Sequence, residues 1–373
     1  MQIPKWPIST DREIELLREV LESGRWGGHS DLVKLLERDF AAAAHCAHAV
    51  SAMNGTVTLE MALCAAGIGP GDEVIVPAIS FVATAMAVSR VGATPVFVDI
   101  EPLSFNMDPE CAAAATGPRT KAIIAVHFGG AIADMDRLVP LAAERGLKLI
   151  EDAAHAHGSE WAGRRAGSLG LAGSFSFQNS KVITAGEGGM LTTNDAAFAE
   201  HAWSIMDQGR KPGGGWFHHY LAGSNYRITG LQAAVLLAQL ERLPEQIARR
   251  KGNVALLRAE LADLEEIAWQ APPAGQNANS WYLLLGRVRG RDEFHRALAA
   301  EGVPSTPFYP HPLYGNPFYR RGNCRVEPCP VAEASIRDAF WLPHRALLGD
   351  EETTREVAAA LRRACAMTPS AAR

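Results

Sequence analysis

The chain has 373 residues, more than the roughly 150 of an average domain, which suggests two domains or one large α/β body with an appendage. Its formal net charge is −5 and it has no block of like charges, which argues against nucleic acid or a membrane surface as a partner. No apolar run approaches the roughly 20 residues of a membrane-spanning helix, and the first residues lack the pattern of a secretory signal. We therefore expect a cytoplasmic protein.

The cysteines argue for reduced thiols and against a metal site. Six of them are scattered through the chain, unlike the dense disulfide framework of a small secreted protein. Cys324 and Cys329 lie close in sequence, but no second pair of ligands follows at the spacing of a zinc site. We predict no metal.

Short β-branched runs alternate with segments of helical length in the first half of the chain. The predicted strands are 74–76, 95–99, 122–126 and 147–151, and residues 135–145 are predicted to be helical. This alternation predicts βαβ units and a mainly parallel sheet, whose ligands bind beyond the carboxyl ends of the strands. The residues that end these strands are therefore the first candidates for a functional site.

The second half predicts further strands and a second, smaller unit. The predicted elements are strands 174–177, 189–192 and 281–289, helices 229–243 and 293–301, a second helical stretch at 245–250, and a loop rich in proline and aromatic residues at 304–317. Pro244 is expected to end or kink the helix that precedes it. We predict a large domain over residues 1–250 and a smaller C-terminal α+β domain over residues 251–373.

Two polar clusters lie beside predicted elements of the large domain. Asn54, Gly55 and Thr56 precede a predicted helix, where free backbone N–H groups and a hydroxyl suit a phosphate, although such residues also serve as ordinary helix caps. Asp152 ends an apolar strand and His155 follows it. In a pyridoxal phosphate (PLP) enzyme such an acid pairs with the protonated pyridine nitrogen, whereas the alternative is an acid that caps a loop.

Two more clusters complete the candidate site. Lys181 lies between a strand of small and aromatic residues and a glycine-rich turn, a setting that suits a lysine that forms a Schiff base, or else a solvated loop lysine. The polar segment 224–229 immediately precedes the helix predicted at 229–243, and its alternative interpretation is helix capping.

Taken in chain order, these clusters resemble the DegT/StrS family of PLP-dependent sugar and cyclitol aminotransferases. The matching segments are NGT with Thr56, VPAISFVATA with Phe81, EDAAHAHG with Asp152, SFSFQNSKVITAGEGGM with Lys181, and SNYRITGLQAAV with Asn225. The resemblance runs from residues 23–28 to residues 339–344. It implies the aspartate-aminotransferase fold (PLP fold type I), with a mainly parallel seven-stranded sheet in a large PLP-binding domain and a smaller C-terminal α+β domain.

The resemblance also implies a role for each matching residue. Lys181 matches the lysine that holds the cofactor as a Schiff base and moves the substrate proton, and Asp152 matches the partner of the pyridine nitrogen. The other matches are His155 beside the cofactor ring, Phe81 stacked on its other face, Gly55, Thr56 and Ser176 at its phosphate, and Asn225 at the phosphate of the neighbouring subunit's cofactor. The match of Asn225 implies a homodimer with shared active sites.

The predicted function is the transfer of an amino group from L-glutamine or L-glutamate to a keto group on a small cyclitol or related carbocycle. Gln178 favours this acceptor, because family members that act on nucleotide-linked sugars often carry His or Tyr at the matching position. Arg227 leaves a nucleotide-linked keto-sugar open as the acceptor, since a guanidinium suits phosphate oxygens. The alternative for Arg227 is a salt bridge at the start of a helix. Trp26, Tyr309 and His311 are expected to bind the acceptor, although a packed interdomain surface would use similar residues.

Two other functions on the same scaffold are less consistent with the residues present. A sugar dehydratase would carry histidine in place of Lys181. A non-catalytic or regulatory protein with the PLP fold would be expected to have lost at least one of Lys181, Asp152 and Ser176.

Overall fold

The computed structural model describes residues 1–367, which form α-helices, short 3₁₀ turns and three β-sheets. The elements up to the middle of the large sheet are α1 (Asp11–Ser23), α2 (Asp31–Ala43), β1 (His48–Ala52), α3 (Gly55–Ala65), β2 (Glu73–Pro77), α4 (Ala83–Arg90), β3 (Thr94–Val98), α5 (Pro109–Ala114), β4 (Thr120–Val126), α6 (Met135–Arg145) and β5 (Lys148–Asp152). The strand–helix alternation predicted for this part of the chain is confirmed.

The remaining elements complete the large sheet and build a second, smaller unit. They are β6 (Glu160–Trp161), β7 (Arg164–Arg165), β8 (Ala172–Ser176), β9 (Gly189–Thr193), α7 (Ala196–Met206), α8 (Gly230–Glu260), β10 (Ile267–Trp269), β11 (Gln276–Ala278), β12 (Leu283–Val288), α9 (Arg291–Ala300), β13 (Thr306–Pro307), β14 (Arg325–Val326), α10 (Pro330–Asp338), β15 (Ala339–Pro343) and α11 (Glu351–Met367).

The large sheet has the strand order β1-β9-β8-β5-β4-β2-β3-β14. Strand β9 runs antiparallel to both of its neighbours, and every other neighbouring pair is parallel. The mainly parallel sheet of seven strands is therefore present, and the two-residue strand β14 extends it at one edge. Because most strands run in one direction, the ends of β2, β4, β5 and β8 lie along the same edge of the sheet.

The central strands are buried on both faces. Val74 and Val76 belong to one hydrophobic cluster, whereas Ile75 between them belongs to another. Successive side chains of a strand point to opposite faces, so the sheet is covered by helices on each side. Each buried valine or isoleucine contributes about 1.5–3 kcal/mol, which explains why these strands consist of β-branched residues with no polar alternation.

A four-stranded sheet of order β10-β12-β15-β13 lies in the C-terminal part of the chain, with α9 against three of its strands and α11 packed on α8 and α9. Its hydrophobic cluster contains residues from the second half of α8 and from α11, for example Val254 and Leu361. The short strands β11, β6 and β7 form a third sheet. The predicted α+β character of this region is observed.

Pro244 does not end the helix, because α8 runs as one helix of 31 residues through this proline. A proline inside a helix costs about 3 kcal/mol. The helix buries Leu237 and Leu243 before this point and Val254 and Leu257 after it, in two different clusters. Each of these side chains contributes about 1.5–3 kcal/mol, so tertiary packing outweighs the local cost of the proline.

The predicted domain boundary at residue 250 falls inside α8. We propose that the chain divides there, because α8 contributes to the core of the large sheet up to Leu243 and to the C-terminal cluster from Val254 onward. Residues 368–373 of the predicted C-terminal domain lie outside the described residues. Within residues 1–367, the helices are too short or too polar to cross a membrane.

Candidate active site

The candidate site lies at the carboxyl edge of three adjacent parallel strands. Val126 at the end of β4 pairs with Asp152 at the end of β5, and Asp152 pairs with Ser174 in β8. This register places Asp152 in the middle of the edge, where parallel α/β sheets bind ligands. His155 follows β5 and Lys181 follows β8, so both turns emerge beside Asp152.

The carboxylate of Asp152 is buried and hydrogen-bonded. Its Oδ2 accepts a hydrogen bond of 2.7 Å from the hydroxyl of Thr84 in α4, and its Oδ1 accepts one of 3.3 Å from the amide of Ala154. Burial raises the pKa of Asp152, while these two hydrogen bonds and the positive charges of Lys181 and His127 oppose that rise. The site therefore holds a desolvated acid that a cationic group would stabilise in its charged form.

The neighbouring acid, Glu151, has a different role. Its carboxylate accepts backbone hydrogen bonds of 2.7 Å from Gly167, Leu169 and Gly170, and lies 2.9 Å from Nε2 of His127. Alternate residues of a strand point to opposite faces, so Glu151 fixes the turn before β8 while Asp152 faces the candidate site.

His155 is a buried, neutral imidazole that follows Asp152 by three residues in the chain. Its Nδ1 accepts a hydrogen bond of 3.3 Å from the amide of Gly129, so the ring proton is assigned to Nε2. Burial lowers its pKa well below the usual value, and the charge of Lys181 lowers it further. The ring packs against Tyr282, with centroids 4.4 Å apart, and against Phe128 at 5.5 Å. His155 can therefore donate one hydrogen bond without carrying charge.

Gly129 must be glycine for this contact to form. Its φ is +71°, which lies in the left-handed region, and an added Cβ would stand 2.2 Å from Cδ1 of Leu285. A side chain here would push the turn away from His155.

Lys181 is 9% exposed, which is rare for a lysine. Its Nζ lies 4.6 Å from the centroid of the Tyr282 ring, a cation–π contact. Its amide donates a hydrogen bond of 2.8 Å to the carbonyl of Gln178, which closes the turn after β8. The alternative of a solvated loop lysine does not describe this environment.

The first turn of α3 is docked against β8. A Cβ added to Gly55 would stand 2.8 Å from Cβ of Ser176 and 3.2 Å from the carbonyl oxygen of Phe175, so only glycine allows this approach. The side chain of Asn54 caps the helix by accepting a hydrogen bond of 2.9 Å from Val57. The first N–H groups of a helix have no partner within it, so Gly55, the half-buried Thr56 and the hydroxyl of Ser176 together suit an anion.

Tyr309 belongs to the same region. Its ring packs 6.1 Å from that of Phe128 and 5.5 Å from that of Trp341. Burial raises the pKa of its phenol, as do Tyr282 and the negative charge of Asp152. Its hydroxyl thus remains protonated and lies close enough to Asp152 for the two groups to interact.

The other predicted substrate residues are less closely associated with Lys181 in this chain. Trp26 is 52% exposed between α1 and α2, and His311 Nδ1 lies 3.0 Å from the carbonyl of the following proline. Arg227 pairs with the buried carboxylate of Asp207, which is the salt bridge that the sequence left as an alternative.

Phe81 and Asn225, predicted to contact the cofactor, are both exposed. Phe81 follows β2 and is 59% exposed, and the backbone of Asn225 pairs with that of Asp207. The structure of one chain therefore brings Asp152, His155 and Lys181 together but leaves Phe81 and Asn225 on the surface.

Three residues of the site were not found from the sequence. Thr84 contacts Asp152, and Tyr282 and His344 lie beside the lysine segment. Thr84 lies within the quoted segment VPAISFVATA, in the first turn of a helix that follows a strand, and its position there is the signal that could have found it. Tyr282 and His344 reach the site only through the pairing of distant strands.

The family profile of the DegT/DnrJ/EryC1/StrS aminotransferases matches residues 7–362. The chain belongs to this family, is an aminotransferase, and has the fold expected from the sequence. The crystal structure of 3-amino-5-hydroxybenzoic acid synthase superimposes with a TM-score of 0.93 at 38% identity, covering 98% of this chain and 99% of that one.

Two other relatives are similar over most of their length. An L-glutamine:2-deoxy-scyllo-inosose aminotransferase from Streptoalloteichus tenebrarius is 38% identical over 397 residues, covering 96% of this chain and 93% of the relative. A GDP-perosamine synthase from Caulobacter vibrioides is 40% identical over 329 residues, covering 87% of each. The relatives thus include enzymes named for a cyclitol ketone and for a nucleotide-linked amino sugar.

Proposed function

We propose that this aminotransferase uses PLP and moves an amino group from L-glutamine or L-glutamate to a ring ketone of a small cyclitol or related carbocycle. The observation that carries the proposal is the convergence of a buried lysine, a buried acid and a neutral histidine at one sheet edge. Membership of the family supplies the reaction class, and the residues of the site supply the fit to the cofactor.

The donor set fits each part of PLP. The buried carboxylate of Asp152 suits a protonated pyridine nitrogen, because a cation offsets the desolvation that raises its pKa. The N-terminus of α3 with Thr56 and Ser176 suits the phosphate, and the Nε2–H of His155 suits an oxygen on the ring. Lys181 supplies the amine for a covalent link. When bound, PLP supplies an electron sink that acidifies the carbon bearing the amino group.

The chain's own residues would move the proton, maintain the charge of the bound group and limit the access of water. Lys181 Nζ is the group that would take the proton from the α-carbon of the amino donor and return it later in the reaction. Facing a cationic group, the carboxylate of Asp152 would stay ionised and maintain the positive charge of that group. Phe128 and Tyr282 pack on the ring of His155, and Tyr309 packs on Phe128, so these aromatic side chains would limit the access of water to the site.

Gln178 supports a ring ketone without a nucleotide. Its side-chain oxygen accepts hydrogen bonds from the amide and the hydroxyl of Ser180, at 2.8 and 2.7 Å, so the amide nitrogen of the exposed side chain is left to donate to a ligand. A carboxamide suits the hydroxyl groups of a cyclitol. The named acceptor of the relative from Streptoalloteichus tenebrarius belongs to the same chemical class.

A nucleotide-linked keto-sugar is the second candidate acceptor. It is favoured by the similarity to GDP-perosamine synthase and by the two arginines, Arg210 and Arg227, that flank Asp207. Both guanidiniums already share the carboxylate of Asp207, which leaves fewer N–H groups for a diphosphate.

A direct amino-transfer assay separates these acceptors. The purified protein with PLP and L-glutamine is offered either 2-deoxy-scyllo-inosose or a GDP-linked 4-keto-sugar, and the aminated product is detected by mass spectrometry. We expect product from the cyclitol ketone and none from the Lys181→Ala variant. Product from the nucleotide sugar alone would contradict the proposed acceptor, and amination by Lys181→Ala at the wild-type rate would contradict the assignment of the lysine.

We further propose a homodimer in which Asn225 serves the partner's cofactor. The loop between α7 and α8 exposes Trp216 by 57%, Phe217 by 85% and Tyr220 by 53%. Such a concentration of exposed aromatic side chains is typical of an interface. A second copy is the partner that the role of Asn225 requires.

A further inference from the structure

The backbone immediately before Lys181 is held by side chains from outside the large sheet. The carbonyl oxygen of Ser180 lies 3.1 Å from Nε2 of His344, and the hydroxyl of Ser180 lies 2.8 Å from that of Tyr282. The Tyr282 ring lies 4.6 Å from Nζ of Lys181. One residue thus receives two contacts, and the lysine side chain that follows it receives a third.

Both contacting side chains lie at the ends of the two central strands of the C-terminal sheet, Tyr282 just before β12 and His344 just after β15. Leu283 at the start of β12 pairs with Pro343 at the end of β15, so the residues beyond these two positions are neighbours. The amide of His344 donates a hydrogen bond of 2.9 Å to the carbonyl of Tyr282, and their rings stack with centroids 5.9 Å apart. The strand pairing therefore presents the two side chains as one unit.

Trp6 joins this unit from the N-terminal end of the chain. The edge of its indole meets the His344 ring at a centroid distance of 4.4 Å, and its Nε1–H donates a hydrogen bond of 3.1 Å to the carbonyl of Asn179. The carbonyl groups of two consecutive residues before Lys181 are therefore both bound by side chains distant in sequence.

His344 acts as a fixed donor over the accessible pH range. A carbonyl oxygen can only accept, so Nε2 of His344 carries the ring proton. Burial lowers the pKa of His344 to about 3, and the charges of Arg250, Arg345 and Lys181 act in the same direction. The hydrogen bond to Ser180 is therefore made by a neutral ring.

We propose that Tyr282 and His344 are positioning residues, which aim the Nζ of Lys181 by holding the backbone and hydroxyl of Ser180. This inference rests on the proposed function of Lys181. The geometry also links the two parts of the chain, because a shift of the C-terminal sheet against the large sheet would move both contacts. Trp6 restrains the same segment one residue earlier.

Two conservative variants remove the hydrogen bonds to Ser180 without leaving a large cavity. Tyr282→Phe removes only the hydroxyl and keeps the ring beside Lys181, and His344→Phe removes the donor but keeps an aromatic ring. Their matched controls are Tyr314→Phe, whose hydroxyl binds Glu333, and His295→Phe, whose ring binds Ser305, both away from the lysine. His344→Gln keeps a side-chain N–H and serves as the rescue variant.

The readouts separate positioning from folding. Each variant is saturated with PLP, the bound amount is measured, and the visible circular dichroism per bound cofactor is recorded with kcat and KM for L-glutamine. An achiral chromophore gains optical activity from fixed surroundings, so we expect Tyr282→Phe and His344→Phe to lose about half of that signal. We expect kcat to fall about five- to tenfold, the effect of one hydrogen bond, with KM within twofold. His344→Gln should recover most of both quantities.

The outcomes distinguish this inference from the proposed function. Wild-type levels of dichroism and kcat in both Tyr282→Phe and His344→Phe would overturn the positioning role while leaving the function of Lys181 intact. Equal losses in the two control variants would overturn it as well. A wild-type protein that forms no covalent link with PLP would overturn the proposed function and this inference together. If His344→Phe does not fold, Tyr282→Phe and His344→Gln decide.

Discussion

Removing the hydroxyl of Thr84 tests whether Asp152 is held as a buried, ionisable group. The hydroxyl donates to Oδ2 of Asp152 at 2.7 Å and lies 2.7 Å from the hydroxyl of Ser80, and both threonine and aspartate are buried. Thr84→Val keeps the shape of the side chain and leaves the carboxylate oxygen without this donor. A hydrogen bond to a charged group is worth about 1.5–3 kcal/mol, which is the expected loss in the free energy of unfolding of the cofactor-free protein.

The loss should depend on pH, because the pKa of Asp152 is raised in the folded protein. At pH values below the pKa of Asp152 in the unfolded chain, this carboxyl is protonated in both the folded and the unfolded protein and does not lower the stability. As pH rises through the folded pKa, the folded protein must ionise a desolvated acid, so stability falls. Thr84→Val raises the pKa of folded Asp152 further, so the loss of unfolding free energy that it causes should be smaller at about pH 5 than at about pH 8.

Urea unfolding at these two pH values gives the measurement. The matched control is Thr193→Val, which removes a buried hydroxyl that donates 2.7 Å to a neutral carbonyl, that of Leu171. The control should cost about 0.5–1.5 kcal/mol at both pH values. If Thr84→Val were no more costly than Thr193→Val, or showed no change between the two pH values, the account of Asp152 would be refuted.

Two further variants test the phosphate position and the interface. Gly55→Ala places a Cβ 2.8 Å from that of Ser176, so we expect a stability loss of about 1–3 kcal/mol and weaker binding of PLP. Urea unfolding and titration with PLP measure the two effects. The control Gly252→Ala, with no atom within 4 Å of the added carbon, should cost no stability. Phe217→Glu should shift the protein towards monomer in sedimentation velocity while Phe318→Glu, at another exposed aromatic, should not. Equal losses in Gly55→Ala and Gly252→Ala would contradict the phosphate position at Gly55. Equal sedimentation of Phe217→Glu and Phe318→Glu would contradict the proposed interface.

The sequence predicted the centre of the site because its signals are local. Asp152 ends an apolar strand, and Lys181 stands between a strand and a glycine-rich turn. The rule that parallel strands share a carboxyl edge then brings these residues together without knowledge of the packing. Gly55 was predicted to bind phosphate, and the structure adds the reason that only glycine fits, which is the approach of Ser176.

The rest of the site depends on contacts between distant parts of the chain. Tyr282 and His344 meet through the pairing of β12 with β15. His344 ends the segment 339–344 that takes part in the family resemblance, but that pattern assigns it no role at the site. Pro244 was expected to interrupt a helix because local propensity favours that, whereas burial on both sides of the proline keeps α8 continuous. Local patterns therefore predicted the elements and the strand ends, and the tertiary packing determined their extent and supporting contacts.

Whether Lys181 binds the cofactor is tested most directly by the absorbance spectrum of the purified protein, reconstituted with PLP and recorded before and after the addition of L-glutamine or L-glutamate. We expect a visible band from the cofactor bound to Lys181, the loss of this band when the donor is added, and no such band in Lys181→Ala. A wild-type protein without the band after reconstitution, or a Lys181→Ala variant with an unchanged spectrum and response, would contradict the assignment of Lys181.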